Sequence, residues 1–146
     1  MKTRVLAMAG MMVLTAMAST RVAQAQEMSV VNIPFDFVAG SVTLPAGEYS
    51  IKVTGPERTL LVIDRKDAAP AFMNTNAVVK TEIQTASKMI FNRYGDRYFL
   101  SEVWTAGYSR GRQLLKSARE MELAQIAKSE TQGQVTLVAD LPRTNR

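Results

Sequence analysis

Between positions 88 and 119 the chain sets Lys88, Arg93, Arg97, Arg110, Arg112, Lys116 and Arg119 against Asp96 and Glu102, seven cations to two acids and a local charge of +5. Six of the ten aromatic residues, Phe91, Tyr94, Tyr98, Phe99, Trp104 and Tyr108, fall in the same window. Arginine offers paired N–H donors to a carboxylate or phosphate, and a tyrosine or tryptophan ring offers a face for stacking or for a cation. The candidate binding residues for an anionic or sugar-like ligand are therefore Arg93, Tyr94, Arg97, Tyr98, Trp104, Arg110 and Arg112. The same composition has a structural explanation, in which the rings fill a core while the cations keep strands soluble and protect sheet edges.

Carboxylates offer less. A glycoside hydrolase needs two acids about 5 to 10 Å apart. Asp96 and Glu102, with Asp96 in a turn and Glu102 some five residues down a strand, would stand roughly 17 Å apart at 3.3 Å per residue. Asp96 reads as a turn residue. Asp64 and Asp67 flank Arg65-Lys66, with too few oxygens and too many cations for calcium. Glu120 and Glu122 suit the first turn of a helix, where the macrodipole favours acids. The 146 residues include no cysteine and no histidine, which removes disulfides, thiolate nucleophiles, imidazole metal sites and every Ser-His or Cys-His pair. There is no P-loop, no Gly-x-Gly-x-x-Gly after a strand and no Ser-x-x-Lys motif. No catalytic residue, metal ligand or cofactor is assigned.

What must position these side chains is a set of short strands. Val31, Ile33, Phe35 and Phe37 alternate with polar neighbours, the period of a half-buried strand, and Pro34, lacking an N–H, places that strand at a sheet edge. Leu44 to Glu48 is turn chemistry, followed by Tyr49, Ile51 and Val53 on one strand face. Gly55 to Arg58 makes a turn, Thr59 to Ile63 a strand, Asp64 to Asp67 a charged turn and Ala71 to Asn74 a possible fourth strand. From Thr75 to Ser87 the apolar residues are too sparse to choose a period, so that stretch reads as loop with possible strand ends.

Met89 to Tyr94 and Arg97 to Trp104 flank Gly95-Asp96, where Gly in the first central position suits a type II′ hairpin. That loop sets Phe91 opposite Leu100 and Arg93 opposite Tyr98, with Ile90, Phe99 and Val103 on the other side. Large groups on both faces call for a central hairpin or a covering element. Ser117 to Glu120 fits a capping box opening a helix from Ala118 to about Ser129, with Met121, Ala124 and Ala127 on a stripe widened by Leu123 and Ile126. Gln132-Gly133 ends it, Val135, Leu137 and Ala139 form a last strand, and Pro142 to Arg146 is a frayed tail. About seven strands near ten-residue spacing, with one late helix, predict a mainly β domain: an antiparallel sandwich or partly closed barrel with a C-terminal helix.

Residues 1–25 read as a secretory signal peptide: Lys2 and Arg4, an uncharged run from Val5 to Ala18, and Ala23-Gln24-Ala25 at the cleavage site. At 1.5 Å per residue the run is about 21 Å long, short of a roughly 30 Å hydrocarbon core, so no transmembrane anchor is expected in the mature form. Cleavage removes Lys2, Arg4 and Arg21 from the 18 basic residues, leaving 15 against 13 acids, or +2. Nucleic-acid binding then loses its main support. Residues 26–146 form one domain, exported to the periplasm or beyond, able to bury a core without disulfides.

Val31-Asn32-Ile33-Pro34-Phe35-Asp36-Phe37, Leu44-Pro45-Ala46-Gly47-Glu48-Tyr49 and Arg93-Tyr94-Gly95-Asp96-Arg97-Tyr98-Phe99-Leu100, with Glu102-Val103-Trp104 after it, resemble a family of small signal-peptide-bearing bacterial proteins of unknown function. The resemblance covers most of the mature chain and implies an exported single-domain protein. It supplies no activity, ligand or catalytic residue. The functional expectation is a non-enzymatic exported module that binds an anionic envelope component or a protein partner through the basic, aromatic hairpin. Two alternatives are a small carboxylate-dependent hydrolase and a carrier of apolar ligands inside a barrel.

Overall fold

The computed structural model describes residues 29–55, 57, 59–127 and 132–139. The expected signal peptide and the expected frayed tail lie outside the described residues, as do Pro56 and Arg58 of the expected turn. Among the described residues the fold is mainly β, with ten strands and one helix in the order β1 (Ser29–Ile33), β2 (Phe37–Ala39), β3 (Val42–Leu44), β4 (Gly47–Thr54), β5 (Leu60–Arg65), β6 (Ala68–Val79), β7 (Lys88–Tyr94), β8 (Arg97–Trp104), β9 (Arg110–Leu114), α1 (Ala118–Ile126) and β10 (Gln132–Val138).

β1, β4, β5 and the first half of β6 are antiparallel neighbours. β6 then leaves β5 after Asn74 and pairs through Thr75–Val79 with β9, which leads to β8, β7 and β10. This long strand carries the chain from one half of the sheet to the other. β2 lies parallel to the start of β8 and forms a small hairpin with β3. The two halves fold over a single core containing Val31, Ile33, Tyr49, Ile51, Leu61 and Ile63 from the first and Phe37, Met89, Phe91, Leu100, Val103 and Leu114 from the second. Each such side chain, fully buried, contributes about 1.5–3 kcal/mol. Among the described residues no ladder joins β1 to β10, so the sheet is open there. β1 is an edge strand, whereas β2, the other half of the run that Pro34 led us to place at an edge, lies between β8 and β3.

The strand expected over Val31 to Phe37 is two strands. Pro34 has no N–H to continue the ladder, and Asp36 turns aside to accept a 2.8 Å hydrogen bond from the Ala46 amide at Oδ1. The three sequence stretches built around Pro34, Pro45 and Gly95 meet here. Phe35 stacks on Tyr98 at 3.8 Å, Phe37 meets both Tyr49 and Phe91 edge-on at 5.5 Å, and the Tyr49 hydroxyl donates to the Pro45 carbonyl at 2.6 Å. These motif residues hold the fold together.

The Gly95-Asp96 hairpin forms with the expected register, Phe91 opposite Leu100 and Arg93 opposite Tyr98. Gly95 has φ +65° and Asp96 is not in the positive-φ region, the II′ signature. Val103, however, faces the core rather than sharing the side of Ile90 and Phe99. Ile90 pairs with Glu102 while Phe91 pairs with Leu100, so Ser101 is an extra residue, a bulge that reverses the alternation beyond it.

Further expectations are corrected. Residues 75–79, a possible strand end of a stretch read mainly as loop, complete β6, and β9 is a strand that no apolar alternation announced. α1 turns Leu123, Ala124 and Ala127 of the expected stripe inward, half-buried, beside the buried Glu120, and leaves Met121 and Ile126 exposed. Ser117 Oγ accepts from the Glu120 amide at 3.2 Å, but the Glu120 carboxylate reaches the sheet instead of closing the capping box. Its Oε1 accepts from Asn92 Nδ2 at 2.9 Å and from the Tyr94 hydroxyl at 3.3 Å. α1 is thus the element that covers the outer face of the hairpin. The helix ends at Ile126, residues 128–131 are not described, and Gln132-Gly133 begins β10 instead of ending the helix.

Candidate functional site

The seven candidate binding residues do not form one surface. Arg93, Tyr94, Arg97 and Tyr98 lie at the turn end of the β7–β8 hairpin, whereas Trp104 ends β8 seven residues later, about 23 Å away along an extended strand. Arg110 and Arg112 are with Trp104 at the far end, on β9.

The rings are committed to the fold. Tyr94 is buried, its hydroxyl on Glu120; burial first, then the carboxylate's charge and hydrogen bond, raise its pKa above the ordinary tyrosine value. Tyr98 is stacked on Phe35, with the Arg93 guanidinium 5.7 Å from its ring centre. Trp104 is 1% exposed. One ring face lies on Gly111, where a Cβ would come within 2.6 Å of the indole, and the Lys80 ammonium stands 4.5 Å from the ring centre. Its Nε1 donates to Glu102 Oε2 at 2.8 Å, which also engages one of the two acids weighed above for hydrolysis.

Arg110 and Arg112 have a different setting. Because β6 runs past β5 to pair with β9, this end of the second half extends beyond the β4–β5 turn, and a cleft of about 940 Å³ opens between them. Val53, Glu57 and Thr59 form one wall; Thr75, Ala77, Val103 and Arg112 lie across from them, with Thr105, Tyr108, Ser109 and Arg110 also lining it. Arg112 is 7% exposed, and its Nη2 donates to the Glu57 carbonyl at 2.7 Å, tying β9 to the β4–β5 turn. Glu57 has φ +54°, the only non-glycine residue among those described in the left-handed region, a conformation that tends to persist where the surroundings enforce it. Thr75 secures the same turn, its amide and its hydroxyl both donating to the Thr59 carbonyl, at 2.8 and 2.9 Å.

Arg110 and Arg112 are alternate residues of one strand, so both project to the same side, about 7 Å apart. Arg110 is exposed at the rim and Arg112 buried at the back. Residue composition pointed to these arginines; Thr59, Thr75, Thr105, Tyr108 and Ser109 were missed because they are scattered over two connections and β6 and meet only when β6 changes partners.

A second hollow of about 660 Å³ brings Arg97, Tyr98 and Arg119 beside Asp36 and Asp96, so its cations are balanced by acids. Among the described residues no three or more acids, histidines or cysteines gather as for a metal ion, and no helix is long and apolar enough to cross a membrane. The interior between the two halves is filled by side chains such as Phe37, Tyr49 and Phe91. No family model, no curated protein and no solved structure matches this chain.

Proposed function

We propose that this protein is an exported, non-enzymatic module that holds an anionic component of the cell envelope in the cleft at the β6–β9 end. The observation that carries the reading is the buried Arg112 at the back of a 940 Å³ cleft, with Arg110 at its rim. The Glu57 carbonyl helps to hold the Arg112 guanidinium in place, and the exposed Arg110 guanidinium at the rim offers paired N–H donors to an anion. The leader-like residues 1–25 and the resemblance to small signal-peptide-bearing bacterial proteins support export.

Binding therefore shifts from the hairpin turn to the far end of β8 and β9. Co-sedimentation with isolated envelope material separates the two placements. Arg110→Gln, at an exposed position, should lose retention at low salt, while the double variant Arg93→Gln/Arg97→Gln should keep it. Retention lost in the double variant and kept in Arg110→Gln would return the site to the hairpin turn, and equal retention of all three would sink the anion reading.

A further inference from the structure

We infer that the ligand of this cleft is a carboxylated saccharide, a polymer or oligomer of uronic acid type. The inference rests on the cleft being the anion site proposed above. A simple phosphate or sulfate asks a site only for donors. This cleft also offers the hydroxyls of Thr59, Thr105 and Ser109, a kind of group that accepts as well as donates. Groups of that kind match a ligand that is itself rich in hydroxyls. Arg110 and Arg112, about 7 Å apart on one strand face, suit carboxylates repeated along a chain better than one isolated charge.

The apolar part of the lining agrees. Val53 and Val103 border the cleft, and the Tyr108 ring, 44% exposed, stands at its margin between Thr105 and Arg110. An aromatic face there can pack on the C–H side of a pyranose ring while the hydroxyl edge stays wet. A volume of about 940 Å³ is at the upper end of the range of roughly 300 to 1,000 Å³ for ligand sites, room for more than one sugar unit. The cleft is open to solvent on one side, as a polymer would require.

Calorimetric titration of the full mature chain tests this with three probes: oligomers of galacturonate, glucuronate and mannuronate; the neutral galactose and glucose oligomers; and inorganic polyphosphate. At least one uronate should bind ten times more tightly than its neutral counterpart and than polyphosphate. Tyr108→Ala should weaken that binding about tenfold, and Tyr108→Phe, which keeps the ring, should restore most of it. The fluorescence of Trp104 confirms that each variant is folded. Polyphosphate binding as tightly as every uronate, with Tyr108→Ala without effect, would overturn the saccharide assignment and leave the anion site standing. Failure of every uronate to bind while envelope material is still retained through Arg110 would do the same. Failure of both would overturn the cleft reading too.

Discussion

Gly111→Ala is the sharpest structural test of how the cleft end is built. The added Cβ would lie 2.6, 2.7 and 2.8 Å from three atoms of the Trp104 indole, closer than real contacts allow. The ring has little room to yield, because it is 1% exposed, Lys80 stands 4.5 Å from its centre and its Nε1 is bonded to Glu102. Overpacking of this kind costs about 1–3 kcal/mol. For a domain of this size roughly 4 °C of Tm follows each kcal/mol, so the midpoint should fall by roughly 4 to 12 °C. The chain has one tryptophan, so its fluorescence reports on the perturbed ring itself. Gly133→Ala on β10, where nothing lies within 4 Å of the new Cβ, is the control and should melt near the wild-type temperature. A Gly111→Ala protein with wild-type Tm and unchanged emission would refute the packing described for β8 on β9.

Gly95→Val should cost about 1 kcal/mol or more, since φ +65° is unfavourable for a β-branched residue; an unchanged denaturant midpoint would place the turn elsewhere. Glu120→Ala should cost about 1–3 kcal/mol by stranding the donors of Asn92 and Tyr94, and Glu120→Leu should not recover it, as judged by urea unfolding. With its pKa raised, Tyr94 keeps its proton in the folded chain at a pH where the unfolded chain has lost it. Its effect on stability is therefore nil below the unfolded value of about 10 and is a loss as pH rises above it. Urea midpoints should decline over that alkaline range, and less steeply in Tyr94→Phe; the same decline in both would remove Tyr94 as the cause.

The parts of this fold legible in the sequence are those where local chemistry and burial agree. Tyr49, Ile51 and Val53 alternate along β4, and Gly95-Asp96 fixes both the hairpin and the pairing of Phe91 with Leu100. The misread parts are places where burial departs from residue type. β9 puts the inward cation Arg112 beside a glycine needed under Trp104, which leaves no apolar period to find. The second half of β6 is partnered by that same strand, so Val78 and Val79 alone could not announce it. α1 buries a glutamate and exposes Met121 because Asn92 and Tyr94 hold its carboxylate, the reverse of the usual amphipathic rule. Arg110 and Arg112 were among the candidate residues, but a contribution from the β4–β5 turn depends on a strand crossing from one half of the sheet to the other, which periodicity does not encode.

The central claim, that ligand enters between the β4–β5 turn and β9, is tested most directly by amide chemical-shift mapping of the mature chain titrated with solubilised acidic envelope polysaccharide at low salt. The account predicts perturbations at Thr59, Ala77, Thr105, Tyr108 and Arg112 that fade as salt is raised. Perturbations centred on Arg93, Arg97 and Arg119, or none at a saturating concentration, would contradict it.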